Sequence, residues 1–578
     1  MALSPNNPKN LLRMSKRHLF PVACILAAMV FTVSCNRKAV FGKSPVSKVI
    51  DAMTLQDKVN LLVYTQGSGQ TYPISRLGIP SVEVSACAAG KEYNVNSLAQ
   101  SWNLQLVRES GVSTGARMRS GGIDLLLIEE PDIENPVIRG RMTAALVEGV
   151  QSNGLGAALS VNTLDDKGFE VTLRESQPRA VIVSCAAPDL IAATDSILRS
   201  EWGFEGVIMM GCPGDSAVNY VQSIAEAVQN GLLDAAVIDY NVERMLDLIA
   251  GSPRVQSDDQ RNVPVQEPDA DILRSGIAEG MVLLKNNGIL PLGRNFNMIA
   301  LYGVNSYDMY AQALKDAGFK LEPSVYTAYS KYSKEPVVPS TLVRKPYQFR
   351  ADAIASHLAI ITLGRADAND YLLTDAEKDL IKDVCDAFHS KNKKVVVLLN
   401  TDSPIGTASW KSQPDAILLA GKPGQLTGSA VTDILNGRVN TSGKLIETYL
   451  DDNISGNSRQ ISYPFGYGLS YTSFIYSEPQ VEFQAGTVNL SVTVTNTGVV
   501  PGKEIVQLYL ERPGSRLSNQ TRELRSYAKT SMLQPGESQI LEFVLPEYDL
   551  NVQGEYKADF SASSQDTRCK TSFSISLE

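Results

Sequence analysis

Apolar runs of five or six residues alternate with helix-like segments along the first half of the chain. The apolar runs lie at residues 123–128, 156–161, 180–184 and 206–210, and the helix-like segments lie at residues 142–152, 216–230 and 242–250. Continuous apolar runs of this length predict buried strands, and their alternation with helices predicts a parallel sheet. The sequence therefore predicts an α/β unit over residues 47–253.

Two further regions follow, each with its own pattern. Residues 269–476 contain β-rich runs at 394–400 and 415–420, which predicts a second α/β domain. From residue 478 to residue 578 the apolar positions alternate with period two, and the turn sequence Asn-Thr-Gly occupies residues 496–498. Several short strands with this spacing predict a β-sandwich.

The N-terminus has the pattern of a targeting segment. A basic group at residues 16–18 precedes an apolar run at residues 19–33, about the length of a signal-peptide core. The run ends in Thr-Val-Ser-Cys at residues 32–35, which resembles a bacterial lipobox. Residues 1–35 are therefore predicted to be a lipoprotein signal peptide, with Cys35 as the lipidated mature N-terminus. The alternative, an uncleaved anchor helix, needs about 20 apolar residues to span a bilayer.

Composition and charge indicate which kinds of ligand and cofactor the chain is not expected to bind. The 578 residues carry a net charge of −9, and Lys and Arg form no cluster outside the N-terminal segment, so a nucleic-acid surface is not predicted. The seven cysteines include no CxxC pair, so neither a zinc site nor a disulfide framework is predicted, and no cofactor is expected. Contact with a membrane is expected only through the lipid anchor, at a bacterial cell envelope, with the body periplasmic or surface-exposed.

The segment at residues 198–214, LRSEWGFEGVIMMGCPG, resembles the hallmark segment of glycoside hydrolase family 3, the β-glucosidase family. Similar resemblances lie at residues 279–286 (EGMVLLKN), 463–471 (YPFGYGLSY) and 533–538 (LQPGES). The resemblance implies a TIM-like (β/α) barrel at 47–253, an α/β sandwich domain at 269–476 and a fibronectin type III-like β-sandwich at 478–578. The first of these is at the lower edge of the length of a (β/α)8 barrel, so a shortened barrel is expected.

The same resemblance implies that the catalytic residues are missing. The family's nucleophile is an Asp at the end of a strand, and here Gly211 stands in that position. The family's acid/base is a Glu in a loop of the second domain, and here Ala368 stands in that position, with Tyr371 where the family has an Arg. Hydrolysis with retention needs two carboxyl groups about 5 Å apart, which neither of these residues supplies.

The residues that would hold the sugar are also replaced. The family's Asp-Gly-Pro-Ala-Gly corresponds to Ala-Cys-Ala-Ala-Gly at residues 86–90, and its Lys-His pair corresponds to Ser160 and Val161. An Arg-bearing segment of the family corresponds to Arg139 and Arg141, which are expected to keep part of a substrate-binding role. These losses, beside intact packing motifs, indicate that the fold has been kept and catalysis has not.

Other carboxylates could replace the missing ones. Asp215 follows the nucleophile position closely, and Asp370 lies in the acid/base loop. The competing interpretations are that Asp215 caps a helix, and that Asp370, Asp165 and Asp166 are solvated loop carboxylates. Cys212 is expected to be a packed small hydrophobic residue rather than a nucleophile.

The sequence thus predicts a family 3 lipoprotein that is catalytically inactive and binds a carbohydrate, such as a β-glycoside or oligosaccharide, or a partner protein. The alternative is an active β-glucosidase-type exo-glycosidase that uses displaced carboxylates. An N-acetylglucosaminidase-type relative, which uses an Asp-His dyad on a barrel loop, is disfavoured because the barrel segment contains no His.

Overall fold

The protein folds into two α/β domains and a β-sandwich. In this computed structural model the described residues are 39–66, 68–86, 95–161, 163–184, 188–212, 217–252, 254–255, 270–342, 344–365, 371–451, 460–514 and 522–576. The predicted fold class is confirmed.

Seven strands form the sheet of the first domain. They are β1 (Val63–Thr65), β2 (Gln70–Thr71), β3 (Val84–Ala86), β4 (Leu125–Ile128), β5 (Gly156–Val161), β6 (Ala180–Ser184) and β7 (Val207–Cys212). Their order is β2-β1-β7-β6-β5-β4-β3, and all neighbouring strands are parallel except β1 and β2. An antiparallel bridge between Gln70 and Glu83 brings the two edges of the sheet together. The result is a nearly closed, shortened barrel, as predicted.

Helices connect and cover these strands. They are α1 (Val46–Asp51), α2 (Leu55–Leu62), α3 (Val95–Ala99), α4 (Leu104–Ser120), α5 (Pro136–Gln151), α6 (Lys167–Ser176), α7 (Pro188–Ser196), α8 (Ala217–Gln229) and α9 (Ala235–Ala250). The start of α5 is fixed by local chemistry, because the side chain of Asn135 accepts hydrogen bonds from the first turn and Pro136 occupies its first position. A π-helical turn at Ile197–Glu201 follows α7.

The second domain is built on a six-stranded sheet of order β10-β9-β11-β12-β13-β8. Its strands are β8 (Val282–Asn286), β9 (Met298–Gly303), β10 (Lys320–Leu321), β11 (Leu358–Gly364), β12 (Lys394–Asn400) and β13 (Ala416–Leu419). Only β8 runs antiparallel to its neighbour. The helices are α10 (Ala270–Gly280), α11 (Tyr307–Asp316), α12 (Pro323–Tyr329), α13 (Pro346–Ala355), α14 (Asp375–His389) and α15 (Thr427–Leu435), and a small ribbon of β14 (Tyr449–Leu450) and β15 (Ile461–Tyr463) follows.

The third domain is a sandwich of two antiparallel sheets, β16-β17-β20 and β19-β18-β21-β22. Its strands are β16 (Phe474–Gln484), β17 (Thr487–Asn496), β18 (Ile505–Glu511), β19 (Arg522–Lys529), β20 (Ser538–Pro546), β21 (Gly554–Ser563) and β22 (Asp566–Ile575). Buried and half-buried residues alternate along β17, which is the period-two pattern expected of a sandwich strand.

Trp102 joins the three domains. Its indole Nε1 donates to the backbone carbonyl of Lys444 at 3.0 Å, and its ring meets Tyr527 edge-to-face with centroids 4.9 Å apart. Phe465 packs on the same ring with centroids 5.8 Å apart. Trp102 is fully buried in an apolar cluster that contains side chains of all three domains, whereas the barrel and the sandwich each have a further core of their own. Among the described residues, none of the helices has the length and apolar character needed to cross a membrane.

Candidate functional site

The carboxyl ends of the barrel strands lie beside the second domain. Functional side chains of parallel β/α barrels are found at this end of the strands. Here the hydroxyl of Ser97 in α3 donates to the carboxylate of Asp402, which follows β12. The backbone N–H of Lys422 donates to both Ser97 Oγ at 2.9 Å and Asp402 Oδ1 at 2.8 Å. Direct polar contacts therefore bind the first two domains together near this face.

Gly211, which the sequence predicts to stand at the family's nucleophile position, lies inside β7. It is paired with Ser184 of β6 and with Tyr64 of β1, and all six residues of β7 are buried. A Cβ atom on residue 211 would lie 2.9 Å from Cγ2 of Ile182 and 3.7 Å from the ring of Tyr64. Such a 2.9 Å approach is closer than non-bonded carbon atoms pack. A side chain at residue 211 would therefore require Ile182 to shift.

Arg139 is held by two carboxylates of the barrel. Its guanidinium donates to Asp166, and its Nε lies 3.6 Å from Glu130. Asp166 is also the N-cap of α6, where it accepts from the backbone N–H of Gly168 at 2.8 Å. Asp166 is therefore a half-buried structural group, and the expectation that it is a solvated loop carboxylate is wrong. Arg139 connects α5 to α6 rather than standing free at the strand ends.

Arg141 points to the third domain. Its Nε lies 3.3 Å from Glu175, its Nη1 donates to the backbone carbonyl of Tyr527 at 3.3 Å, and its guanidinium lies 5.1 Å from the centre of the Tyr527 ring. These contacts join the barrel to β19. Arg141 is thus a residue of the domain interface, whereas the sequence predicted that it helps to hold the sugar.

The loop of the second domain in which the sequence predicts the acid/base position is described only at its ends. At one end Arg365 forms a buried bidentate pair with Glu377, with N–O distances of 3.0 and 3.1 Å. At the other end the hydroxyl of Tyr371 donates to the backbone carbonyl of Leu450. The remaining predicted site positions, Asp215, Ala368, Asp370 and Cys35, lie outside the described residues.

Two carboxyl groups near this face were not expected from the sequence. Burial, reinforced by the carboxylates of Asp132 and Glu134, raises the pKa of Glu447 to about 7. Burial and Asp166 raise the pKa of Glu130, against the opposing effect of Arg139. Glu130 could have been noticed, because it follows an apolar run almost directly. Glu447 had no such signal, since its acidic neighbours come from another domain.

Cys212, at the end of β7, is fully buried and disulfide-bonded. The sequence did not predict this bond, because disulfide formation depends on distance in the fold and not on CxxC spacing. Within the described ranges no group of three or more His, Cys, Asp or Glu residues is arranged to hold a metal ion.

Comparison with known proteins places this geometry in context. Residues 281–471 match the glycosyl hydrolase family 3 C-terminal domain, and residues 504–569 match the fibronectin type III-like domain. The chain is 26% identical to thermostable β-glucosidase B of Acetivibrio thermocellus over 86% of this chain and 82% of that protein. It is 24% identical to an exo-α-(1→6)-L-arabinopyranosidase of Bifidobacterium longum over 81% of this chain and 78% of that protein.

The fold is also similar to that of solved β-glucosidase structures. β-Glucosidase 3B from Thermotoga neapolitana, determined in complex with glycerol and in complex with glucose, superposes with a TM-score of 0.79 at 26% identity. The match covers 92% of this chain and 99% of that chain.

Proposed function

The chain is a β-glucosidase-like protein of glycoside hydrolase family 3, and from this premise we propose that it binds carbohydrate without hydrolysing it. The observation that carries the proposal is the packing at Gly211. The sequence predicts that Gly211 stands where the family has its nucleophile, and a Cβ on this residue would lie 2.9 Å from Cγ2 of Ile182. A glycosidase of this kind cannot form its covalent intermediate without a carboxylate there.

A carbohydrate ligand is supported by the relatives. β-Glucosidases act on sugars, and the related 3B enzyme from Thermotoga neapolitana has been solved with glucose. Loss of the catalytic carboxylate does not by itself remove the ability to bind a sugar, because binding and chemistry depend on different groups. The sequence also predicts a partner protein as the alternative ligand, and this stays a prediction.

The test of this proposal is a paired measurement on protein from Lys38 onward. We expect no release of nitrophenol from nitrophenyl β-glucoside, β-xyloside or N-acetylglucosaminide, together with measurable binding of neutral β-linked oligosaccharides by calorimetry. Turnover that disappears in Asp215→Asn would contradict the proposal, because it would identify a displaced nucleophile.

One observation favours the alternative of an active exo-glycosidase. A general acid in glycoside hydrolysis has a pKa raised towards neutrality, as Glu447 has. If the wild-type protein hydrolyses a glycoside and Glu447→Gln does not, the acid is Glu447 and the protein is an enzyme. The acidic loop with Asp132 and Glu134 would then be the first place to seek its partner.

We also propose that the protein is a lipoprotein of the bacterial envelope, anchored through Cys35. The disulfide at Cys212 supports export from the cytoplasm, because disulfides persist mainly in oxidising compartments such as the periplasm. The folded body would then remain in water while acyl chains hold it at the membrane.

A further inference from the structure

A cleft of about 510 Å³ opens where the three domains meet. It is lined by residues of the first turns of α5, of α6, of β18 and β19 and of the segment 544–549, together with Phe465 of the second domain. Small-molecule sites generally have volumes of about 300–1,000 Å³. The first turns of α5 and α6 follow the carboxyl ends of β4 and β5, and Gly211 is not among the described residues that line this cleft.

Tyr548 gives the cleft an aromatic surface. Its side chain is 54% exposed, and the guanidinium of Arg174 lies 4.5 Å from the centre of its ring. Arg174 is itself fixed, because its Nε lies 2.8 Å from Glu170 and its Nη2 donates to the backbone carbonyl of Glu201 at 2.9 Å. Because the guanidinium lies over one face of the ring, a pyranose would stack on the other face, with its hydroxyl edges directed at polar groups of the cleft.

The charges of the cleft point to a neutral ligand. Lys167 lies 3.0 Å from Glu170 and 3.2 Å from Asp549, so it connects the barrel to the third domain. Arg522 lies 3.0 Å from Asp559, and Arg141 is paired with Glu175 as described above. A polyanion would have to displace one of these carboxylates to reach a cation. Hydroxyl groups can donate to the carboxylates and accept from the cations without breaking any pair.

We propose that this cleft, made by α5, α6, Phe465, β18, β19 and residues 544–549, binds a neutral oligosaccharide. The inference rests on the proposed function and gives it a place in the fold. It assigns a role to the third domain, which supplies Tyr548 and Asp549, and it makes binding independent of the lost catalytic position. The cleft exists only in the assembled chain, because each domain contributes to it.

The experiment measures binding to protein from Lys38 onward by titration calorimetry, with cellotetraose, laminaritetraose and xylotetraose as neutral probes and tetragalacturonate as the anionic probe. Tyr548→Ala removes the aromatic surface, and we expect the affinity for the best neutral probe to fall by about tenfold or more. Val544→Trp, at a 59% exposed strand position on the same cleft, fills the space without removing a polar group and should weaken binding similarly. Tyr347→Ala, at a 69% exposed tyrosine of α13, is the matched control and should bind like the wild type.

The outcomes separate the two proposals. Neutral-probe binding that is unchanged in both Tyr548→Ala and Val544→Trp overturns the cleft while leaving carbohydrate binding intact. Tighter binding of tetragalacturonate than of every neutral probe overturns the neutral ligand class. If the wild type binds none of the probes, the proposed function itself fails. Melting temperatures close to that of the wild type would show that both variants are folded.

Discussion

A side chain on residue 211 would begin 2.9 Å from Cγ2 of Ile182, across the pairing of β7 with β6. Ile182 is 4% exposed and belongs to the apolar core that fills this part of the barrel. The two residues are thus complementary, since the missing side chain of one makes room for the methyl group of the other.

This complementarity predicts a measurable coupling. Gly211→Ala should lower the free energy of unfolding by about 1–3 kcal/mol, because an added methyl group overpacks the core. The same change made in an Ile182→Ala background should cost less, since the conflicting methyl group is then absent. Urea unfolding of the four proteins measures the coupling. Gly293→Ala is the matched control, because a Cβ there meets no atom within 4 Å. Equal costs in both backgrounds would contradict the interpretation.

The same packing predicts the result of restoring the family residues. Gly211→Asp should not produce glucoside hydrolysis, because its carboxylate would start against Ile182 and Tyr64 in an apolar environment that disfavours the charged form. The double change Gly211→Asp with Ala368→Glu should also stay inactive. Nitrophenyl β-glucoside hydrolysis is the measurement, and a large gain from Gly211→Asp alone would mean that a working pocket has survived.

Glu447 predicts a pH dependence of stability. Its pKa is raised to about 7 in the folded protein by burial and by Asp132 and Glu134, and it returns to about 4.3 on unfolding. The stability that depends on neutral Glu447 is therefore fully present below about pH 4 and is lost as the pH rises through 7. Because glutamine does not titrate in this range, Glu447→Gln should not lose this stability as the pH rises. The variant should therefore become more stable relative to the wild type between pH 4.5 and pH 7.5. The slope cannot exceed about 1.4 kcal/mol per pH unit.

Urea unfolding at several pH values tests this expectation. Glu482→Gln, at an exposed position on β16, is the control and should keep a constant difference from the wild type over the same range. A constant difference for Glu447→Gln as well would mean that the Glu447 carboxyl has an ordinary pKa.

The sequence predicted the fold well where the signals are local. The apolar runs at 156–161 and 180–184 coincide with β5 and β6. The run at 206–210 was predicted to end before Gly211, whereas β7 continues through Cys212. The strands β1, β2 and β3 have only two or three residues each, too few for any periodicity to show.

The site was less predictable because its contacts are tertiary. Arg139 and Arg141 were expected to hold a sugar, but their partners Glu130, Asp166 and Glu175 lie on other elements, and only the fold brings them together. The pKa of Glu447 depends likewise on Asp132 and Glu134 of the first domain. A single sequence gives the residue types but not these pairings.

Lys529 predicts a second pH dependence of stability. Here stability rises with pH, whereas for Glu447 it falls. It donates to the backbone carbonyl of Ser101 at 2.8 Å and lies 3.2 Å from Glu279, with Lys503 on the same carboxylate. Burial lowers the pKa of Lys529 to about 8, and Glu279 and Glu504 only partly oppose this effect. Because the unfolded lysine keeps its proton up to about pH 10.4, the contribution of Lys529 to stability rises with pH between 8 and 10.4.

Lys529→Met should abolish this rise, so the stability of the wild type relative to the variant should increase from pH 8 to pH 10. Thermal or urea unfolding over that range is the measurement. Lys570→Met removes a 71% exposed lysine of β22 and serves as the matched control. A wild-type advantage over Lys529→Met that falls with increasing pH would contradict the assignment.

The proposed lipid anchor on Cys35 predicts whether the Cys35→Ser variant is found in the membrane fraction. Acyl chains attached to Cys35 would supply the membrane affinity of a body that otherwise remains in water, so the variant should lose its lipid and leave the membrane fraction. Cell fractionation and labelling with a radioactive fatty acid measure the two effects. Cys24→Ser lies in the same N-terminal segment and, as the control, should keep both the label and the membrane location. If Cys35→Ser stays in the membrane fraction without label, the apolar run at residues 19–33 is itself the anchor, and the lipoprotein proposal fails.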